Sequence, residues 1–271
     1  MIIQHNIAAI NSYRNLGVNQ SALNKNLEKL SSGYKINRAG DDAAGLAISE
    51  SMRSQINGLN QAVNNANDAI GLIKTNEGAL TETHAMLQRL TTLATQSANG
   101  TYNSVARNNI QLEVNRLIEE IDRIACATNF NGISSLDGSN GQTMSFQIGP
   151  TSKEQIVVSG GDMTAAGISV KNVVVSNQSA ANAAIETVKA AIDQVSSYRA
   201  SLGAAQNRIE HTVNNLKVTS ENITDAESRI RDTDMADEIT AFTKNNILLQ
   251  ASQSMLAQSN SVPQSILSLL S

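Results

Sequence analysis

Apolar residues recur along the C-terminal half of the chain at alternating steps of three and four residues. Ten of the 14 positions reached in this way from Ile185 to Ile230 are apolar, and the pattern runs unbroken through six heptads. Such spacing predicts one helix of about 45 residues with a coiled-coil seam, which is too long for a compact domain and indicates a rod. The apolar seam positions are Ile185, Val188, Ile192, Val195, Leu202, Ile209, Val213, Leu216, Ile223 and Ile230.

The same spacing marks two segments in the N-terminal half, Met52–Ala94 and Ile110–Ile124. Between them, residues 97–104 read SANGTYNS, and the Asn-Gly pair with its small polar neighbours predicts a turn. We therefore expect two helices that fold back antiparallel, with the long C-terminal helix completing a bundle.

The middle of the chain has a different pattern. Short runs of β-type residues predict strands at 143–148, 155–158 and 168–175, separated by Gly-Pro and Gly-Gly pairs. We expect a β-hairpin-rich segment that covers residues 130–178.

Both ends of the chain have the pattern of amphipathic helices. The last 27 residues carry no charged side chain. A terminal helix with an uncovered apolar stripe needs a partner, which is either the other end of the chain or another copy of it. The first stripe consists of Ile3, Ile7, Ile10, Leu16, Leu23, Leu27 and Leu30, and the second of Ile239, Phe242, Leu249, Leu256, Ile266 and Leu270.

Together these patterns predict a mainly α fold: a long antiparallel helical bundle or coiled-coil rod with a small β-hairpin element and paired terminal helices. We expect an inner terminal helical domain formed discontinuously by residues 1–40 and 232–271, and a rod domain formed by residues 41–231.

Composition narrows the classes of function. Aromatic residues make up 3% of the chain, and two prolines leave room for long uninterrupted helices. A net charge of −4 without a basic patch argues against nucleic acid as a partner. Cys126 is the single cysteine, so neither an intramolecular disulfide nor a cysteine metal cluster can form. No apolar run is long enough for membrane insertion, and the first residues lack the pattern of a secretory signal peptide.

One stretch, KLSSGYKINRAGDDAAGLAIS at Lys29–Ser49, contains residue types typical of phosphate and metal sites. It lacks the spacing of a phosphate loop, and two adjacent carboxylates lack the further ligands of a cation site. We instead expect a connector in which Gly33 ends a helix, Gly40 breaks the chain, and Asp41 and Asp42 place negative charge at the next helix start.

No catalytic, cofactor-binding or metal-binding residues are predicted, and we expect no enzyme activity and no cofactor. The three histidines, His5, His84 and His211, have no cysteine or carboxylate neighbour at ligand spacing. The clustered charges of RIRDTDMADE at residues 229–238 are typical of a helix start or a salt-bridging surface.

Several long blocks of the sequence are distinctive. In the N-terminal half they are KLSSGYKIN, AGDDAAGLAIS, NANDAIGLIKTNEGAL, LQRLTTLATQSANGT and IDRIACATNFNG. In the C-terminal half they are SLGAAQNRIEHTVNNL, ENITDAESRIRDTDMADE and SMLAQSNSVPQSILSLL. Through these blocks the sequence resembles the bacterial flagellins. About 50 residues lie between Phe130 and Ala180, so the chain is similar to a minimal flagellin without large variable outer domains.

The resemblance implies a structural subunit that polymerises into the flagellar filament used for swimming. It implies a secreted, extracellular location in the filament and export through the flagellar type III apparatus. The implied partners are other copies of the chain, an export chaperone, and the cap and hook-associated proteins. The connector residues Gly33, Lys35, Arg38, Gly40, Asp41 and Asp42 are expected to set the angle of the joint and to contact neighbouring subunits.

The resemblance also implies recognition by Toll-like receptor 5, through Gln88, Arg89, Leu93 and Glu113. Thr92 differs from the Glu that many recognised flagellins carry at this place. An equally weighted interpretation is that Arg89 and Glu113 are surface charges that serve subunit contacts. For the whole chain, the alternatives are a hook-filament junction protein and a secreted binding module with a coiled-coil shaft.

Overall fold

A computed structural model describes residues 6–138 and 143–270, with side chains up to residue 265. The described residues form five helices and a two-stranded antiparallel sheet, which confirms the prediction of a mainly α fold with a small β element. The elements are α1 (Ile7–Ser32), α2 (Ala43–Ala98), α3 (Ser104–Ala127), β1 (Thr143–Gln147), β2 (Gln155–Ser159), α4 (Gln178–Arg231) and α5 (Met235–Leu270).

Local signals in the sequence account for several helix ends. Gly33 ends α1 in a left-handed conformation with φ 74°, and its N–H donates to the carbonyl of Lys29 at 2.8 Å. Glycine tolerates this conformation because it has no Cβ atom. The predicted turn at residues 97–104 separates α2 from α3, and the Asn103 side chain caps α3 by accepting from the Ala106 N–H at 2.8 Å.

The chain divides into two compact units. One consists of Met1–Ile56 with Glu221–Ser271, and the other of Asn57–Ser220. The domain limits expected from the sequence, before residue 41 and after residue 231, fall inside the first of these units.

The second unit is built on antiparallel helix packing. Arg89 and Arg107 link α2 to α3 through contacts with Glu113 and the Ser97 carbonyl, so later residues of one helix meet earlier residues of the other. Glu77 pairs with Arg199 of α4 in the same antiparallel sense. Aliphatic side chains at the heptad positions fill the space between the helices. Fully buried examples are Ile73, Leu80, Leu87, Leu90, Ile121, Leu202 and Ile209.

The small sheet covers one part of this core. Met144 pairs with Val158 and Phe146 pairs with Ile156, which places alternate apolar side chains of both strands on the helices. The Asn65 side chain of α2 donates to the Gln147 carbonyl at 3.1 Å and holds the end of β1.

The third predicted strand, at residues 168–175, is wrong. Its apolar side chains at 168, 170, 173 and 175 are buried, but the backbone forms turns in which the Val170 N–H donates to the Ala165 carbonyl. Ser169 has φ 61°, which interrupts an extended backbone. The polar groups of Val175 bond to side chains instead of a strand: its carbonyl accepts from Ser97 Oγ at 2.5 Å, and its N–H donates to Gln111 Oε1 at 2.6 Å.

The packing of the second unit predicts different costs for two leucine truncations. Leu87 of α2 has an exposed fraction of 0% and Leu112 of α3 one of 65%. We expect Leu87→Ala to lower the free energy of unfolding by roughly 2–5 kcal/mol, because it removes buried methyl groups and leaves a cavity. We expect Leu112→Ala to change it by no more than about 0.5 kcal/mol. Urea unfolding of the unassembled chain, followed by circular dichroism, measures both; equal effects would contradict this arrangement of the helices.

Candidate functional site

The connector between α1 and α2 runs alongside the chain that joins α4 to α5. Tyr34 and Asp232 form an antiparallel bridge. The Lys35 N–H donates to the Arg231 carbonyl at 2.6 Å, and the Thr233 N–H donates to the Gly33 carbonyl at 3.0 Å. These two backbone hydrogen bonds join the ends of four helices at one place in the first unit.

The Arg231 side chain closes this junction. Its Nη1 donates to Glu50 Oε1 of α2 at 2.7 Å, and its guanidinium lies 4.6 Å from the centre of the Tyr34 ring. The side chain is only 13% exposed, so the cation–π contact is largely shielded from water. The hydrogen bond from Arg231, helped by Arg53, lowers the pKa of the Glu50 carboxyl.

The two aspartates of the connector accept hydrogen bonds from the backbone. Asp41 Oδ2 accepts from the N–H groups of Arg38 and Asn37 at 3.1 and 3.3 Å, and the bond from Arg38 is the main reason that the pKa of Asp41 is lowered. Asp42 Oδ1 accepts from the Gly45 N–H at 2.9 Å and so caps α2. Both carboxylates therefore order the chain at the start of α2.

Close approach explains a glycine in the first turn of α2. A Cβ atom at Gly45 would lie 2.8 Å from Ile36 Cδ1 and 2.5 Å from Asp42 Oδ2. Ile36 is buried with an exposed fraction of 2%, so the connector is anchored by an apolar side chain against the helix.

The other connector residues predicted from the sequence, Lys35, Arg38 and Gly40, are exposed. Arg38 Nε donates to Glu28 Oε1 at 2.8 Å on the surface, and Lys35 takes part in the bridge through its backbone. Gly40 has open space around the position of a Cβ atom. Sequence reasoning did not single out Tyr34 or Glu50. For Arg231 the only signal was the salt-bridging interpretation of residues 229–238, which did not identify its partner.

The terminal helices α1 and α5 pair antiparallel. Polar contacts join them along their length. Asn6 Nδ2 donates to the Ser259 carbonyl at 2.8 Å, and Asn19 Nδ2 donates to Ser252 Oγ at 2.8 Å and to the Leu248 carbonyl at 3.4 Å. Lys29 Nζ lies 3.7 Å from Glu238 Oε2. Half-buried residues of α5 recur every three or four positions along this seam. They are Glu238, Ala241, Phe242, Asn245, Asn246, Leu249, Ser252, Leu256, Ser259 and Pro263.

The apolar stripe predicted for α5 is therefore divided between two faces. Phe242, Leu249 and Leu256 lie at seam positions toward α1, whereas Ile239 is 52% exposed. The side chains of Ile266 and Leu270, and the residues Ile3 and His5, lie outside the described part of the chain. Exposed apolar side chains that the sequence stripe did not include are Ile247, Leu248, Met255 and Val262 of α5, with Tyr13 and Val18 of α1.

The candidate receptor residues cluster on α2 and α3. Arg89 and Glu113 form an exposed ion pair with Nε–Oε1 at 2.8 Å, and Gln88 bonds to His84 at 3.0 Å. Leu93 has an exposed fraction of 1%, so it lies beneath this surface and supports the helix packing.

Among residues 6–138 and 143–270, no group of three or more His, Cys, Asp or Glu side chains is placed to hold a metal ion. None of the helices in the described chain is both long and apolar enough to cross a membrane.

Comparison with known proteins adds the family context. The model of the bacterial flagellin N-terminal helical region matches residues 3–141, and that of the C-terminal helical region matches residues 185–270. The chain is 50% identical over 303 aligned positions to the flagellin of Bacillus subtilis (strain 168), with all of both chains covered. It is 47% identical over 285 positions to the flagellar filament 33 kDa core protein of Treponema phagedenis, again with both chains fully covered.

The fold is similar to a solved structure as well. The crystal structure of Bacillus cereus flagellin matches with a TM-score of 0.52 and 30% identity, covering 56% of this chain and 88% of that one.

The junction makes a prediction about two arginines that share the Glu50 carboxylate. Arg231 is 13% exposed and also contacts Tyr34, whereas Arg53 is 50% exposed and contacts Glu50 alone. We expect Arg231→Ala to speed hydrogen exchange of the Lys35 and Thr233 amides by roughly five- to tenfold, because it removes a charged hydrogen bond and a cation–π contact.

Arg53→Ala is the matched control, with an expected change of less than about twofold because exposed ion pairs contribute little. Exchange would be measured by mass spectrometry on peptides that contain residues 33–38 and 231–235. If both amides exchange at the same rate in the Arg231 variant and in the parent chain, the Arg231 side chain does not stabilise this junction.

Proposed function

Because this chain belongs to the bacterial flagellin family, we propose that its terminal helices and connector make the subunit contacts of a flagellar filament. The chain is a structural filament subunit that assembles with copies of itself. The observation that carries this function is the match to flagellins over the whole length of the chain, including the middle segment. A match of this extent favours flagellin over a hook-filament junction protein or a secreted binding module.

The proposed contact surface is the outward side of the terminal helix pair. Ile7, Ile10 and Tyr13 of α1 are 57–70% exposed, and Ile247 and Met255 of α5 are 61% and 63% exposed. Apolar side chains at this density on one helix pair favour burial against further copies of the chain. Because the lattice of a filament does not close on itself, each subunit needs two different surfaces that fit one another.

The connector has a separate role in this proposal. Asp41, Asp42 and Gly33 hold the chain path between α1 and α2, and we assign the angle of this joint to them. Lys35 and Arg38 present charged groups on the same exposed segment, where they are available to neighbouring subunits. A Cβ atom at Gly40 would meet open space, so no close approach within the chain requires glycine there, and the position is free to lie against a neighbouring subunit.

The route to the filament follows from the family. We propose export through the flagellar type III apparatus, an extracellular location, and partners that include an export chaperone and the cap and hook-associated proteins. Helices form quickly from local contacts, and the chain has a single cysteine, so no internal disulfide has to be made after export.

A second proposed activity is recognition by Toll-like receptor 5. The exposed ion pair of Arg89 and Glu113, with Gln88 beside it, supports this proposal because it forms a rigid, charged patch on two helices. Thr92 is exposed next to this patch and supplies no charge.

The filament proposal predicts the effect of removing residues 245–271. This deletion takes away most of α5, including Ser252 and Ser259, which bond to α1. We expect no growth on filament seeds, while circular dichroism keeps the helical signal of the second unit. Electron microscopy of seeded mixtures measures growth, and the full-length chain on the same seeds is the positive control. Filaments formed by the shortened chain would refute the role given to α5.

The receptor proposal predicts a difference between Arg89→Ala and Arg116→Ala. Arg89 pairs with Glu113 of another helix, whereas Arg116 pairs with Glu119 one turn away on α3 and is 81% exposed. In cells that report receptor activation, we expect unassembled Arg89→Ala chains to lose at least about fivefold in potency, as for a central interface arginine, and Arg116→Ala chains less than about twofold. If Arg89→Ala slows seeded growth and leaves receptor activation unchanged, the pair serves subunit contacts instead.

A further inference from the structure

The seam between α1 and α5 has little apolar core. In α1 only Leu23 and Asn26 are buried, and no residue of α5 up to position 265 is buried. The seam positions of both helices alternate between an apolar and a polar layer at seven-residue intervals. The apolar layer contains Leu16, Leu23, Leu30, Phe242, Leu249 and Leu256, and the polar layer contains Ser12, Asn19, Asn26, Asn245, Ser252 and Ser259.

Within the seam itself, this repeating pattern leaves the register underdetermined. Near the connector, the Lys29–Glu238 pair and the bond from the Thr233 N–H to the Gly33 carbonyl select one register. Farther along, if α1 slides along α5 by seven residues, about 10.5 Å, every seam leucine again meets an apolar layer and Asn19 again meets a polar one. The Asn19–Ser252 contact would then be replaced by a contact with Asn245 or Ser259. The end of the seam far from the connector therefore needs a contact of its own that does not repeat.

Pro263 creates such a contact. It lies inside α5 and has no N–H to donate to the carbonyl four residues earlier, which is that of Ser259. Every other carbonyl between the start of α5 and its last turn has a helix N–H opposite it. The Ser259 carbonyl is thus the single interior carbonyl of this helix that lacks a partner within the helix.

Asn6 supplies the missing donor from the other helix. Its Nδ2 donates to the Ser259 carbonyl at 2.8 Å, while its Oδ1 accepts from the Ala9 N–H at 3.1 Å and caps α1. An asparagine amide carries both a donor and an acceptor, so one side chain caps one helix and binds the other. An aspartate can keep the cap but has no N–H to donate.

We propose that Asn6 and Pro263 together fix the register of α1 against α5 at the end of the seam far from the connector, and thereby decide which apolar side chains this part of the helix pair presents to neighbouring subunits. Asn6 is a positioning residue. It binds the Ser259 carbonyl because that carbonyl has no partner within α5. In a slipped register, Asn6 would meet a carbonyl that already has its helix partner. Ile7 and Ile10 would move relative to Met255 and Val262, and the surface offered to the next subunit would change.

The test separates register from helix stability with two variants. Asn6→Asp keeps the cap and removes the donor. Asn24→Asp is the matched control, because Asn24 is an exposed residue of the same helix whose Oδ1 accepts from Gln20, a role that aspartate retains. Pro263→Ala restores the helix hydrogen bond to Ser259 and raises helix propensity. It should therefore increase the helical circular dichroism signal of the chain, while the Ser259 carbonyl no longer needs a donor from Asn6.

Register is read by disulfide cross-linking of the full chain in a Cys126→Ser background. The pair Asn19→Cys with Ser252→Cys reports the observed register, and the pair Asn19→Cys with Asn245→Cys reports a slip of one heptad. We expect Asn6→Asp and Pro263→Ala each to lower the ratio of the first cross-link to the second at least fivefold. Growth of each variant on seeds, without the added cysteines, should fall by a similar factor.

Asn24→Asp should leave both the cross-link ratio and the growth on seeds within twofold of the parent chain. Growth of the parent chain on the seeds separately tests the proposed filament function, on which this inference rests. An unchanged cross-link ratio in both variants would overturn the proposal, even if growth falls, since that result would leave Asn6 only a capping role. Growth of Pro263→Ala at the parent rate with a changed ratio would also overturn it, because register would then not control the assembly surface.

Discussion

Aliphatic side chains at three- and four-residue steps form a stripe along one face of a helix, and in this chain the stripes leave water mainly by packing against one another. The second unit depends on this packing: α2, α3 and α4 pack antiparallel and bury leucine, isoleucine and valine with few aromatic residues. The polar parts of the unit then fit around the helices. Gln111 and Ser97 satisfy the backbone of the segment near Val175, and the two strands lie with one face on the helices. The first unit keeps the spacing but fills half of its seam with asparagine and serine, and several of its apolar side chains, such as Ile247 and Met255, face outward.

Residue types that suggest chemistry have structural roles at the connector. Asp41 and Asp42 accept backbone N–H groups, and Gly33 ends a helix in a conformation that other residues resist. A short chain that must change direction between two long helices leaves many backbone donors without helix partners. Carboxylates satisfy those donors, and this explains why the stretch resembles a binding loop in composition while its spacing does not fit one.

How far the sequence predicted the fold depended on whether the signal was local. The turn at residues 97–104 and the end of α1 at Gly33 were predicted correctly, because each rests on neighbouring residues. The β-type residues at 168–175 predicted a strand that is not formed. Local turns, such as the bond from the Val170 N–H to the Ala165 carbonyl, take up the first part of its backbone. Gln111, which is distant in sequence, bonds to the Val173 carbonyl and the Val175 N–H at its end. Arg231 was missed as the centre of the junction for the same reason, since Glu50 lies 181 positions away. In α5, the seven-residue steps from Phe242 to Leu249 and Leu256 predicted side chains that do face α1, but nothing in the pattern separated them from Ile239, which is exposed.

The mixed seam of the terminal helices also bears on the chain before it meets a filament. When α1 and α5 separate, the side chains uncovered at alternate layers are asparagine and serine, which water solvates readily. A helix pair with leucine at every layer would expose a continuous apolar surface on separation, and such a surface promotes non-specific aggregation at high protein concentration. The polar layers of the seam therefore limit the continuous apolar surface that the two helices expose when they are apart.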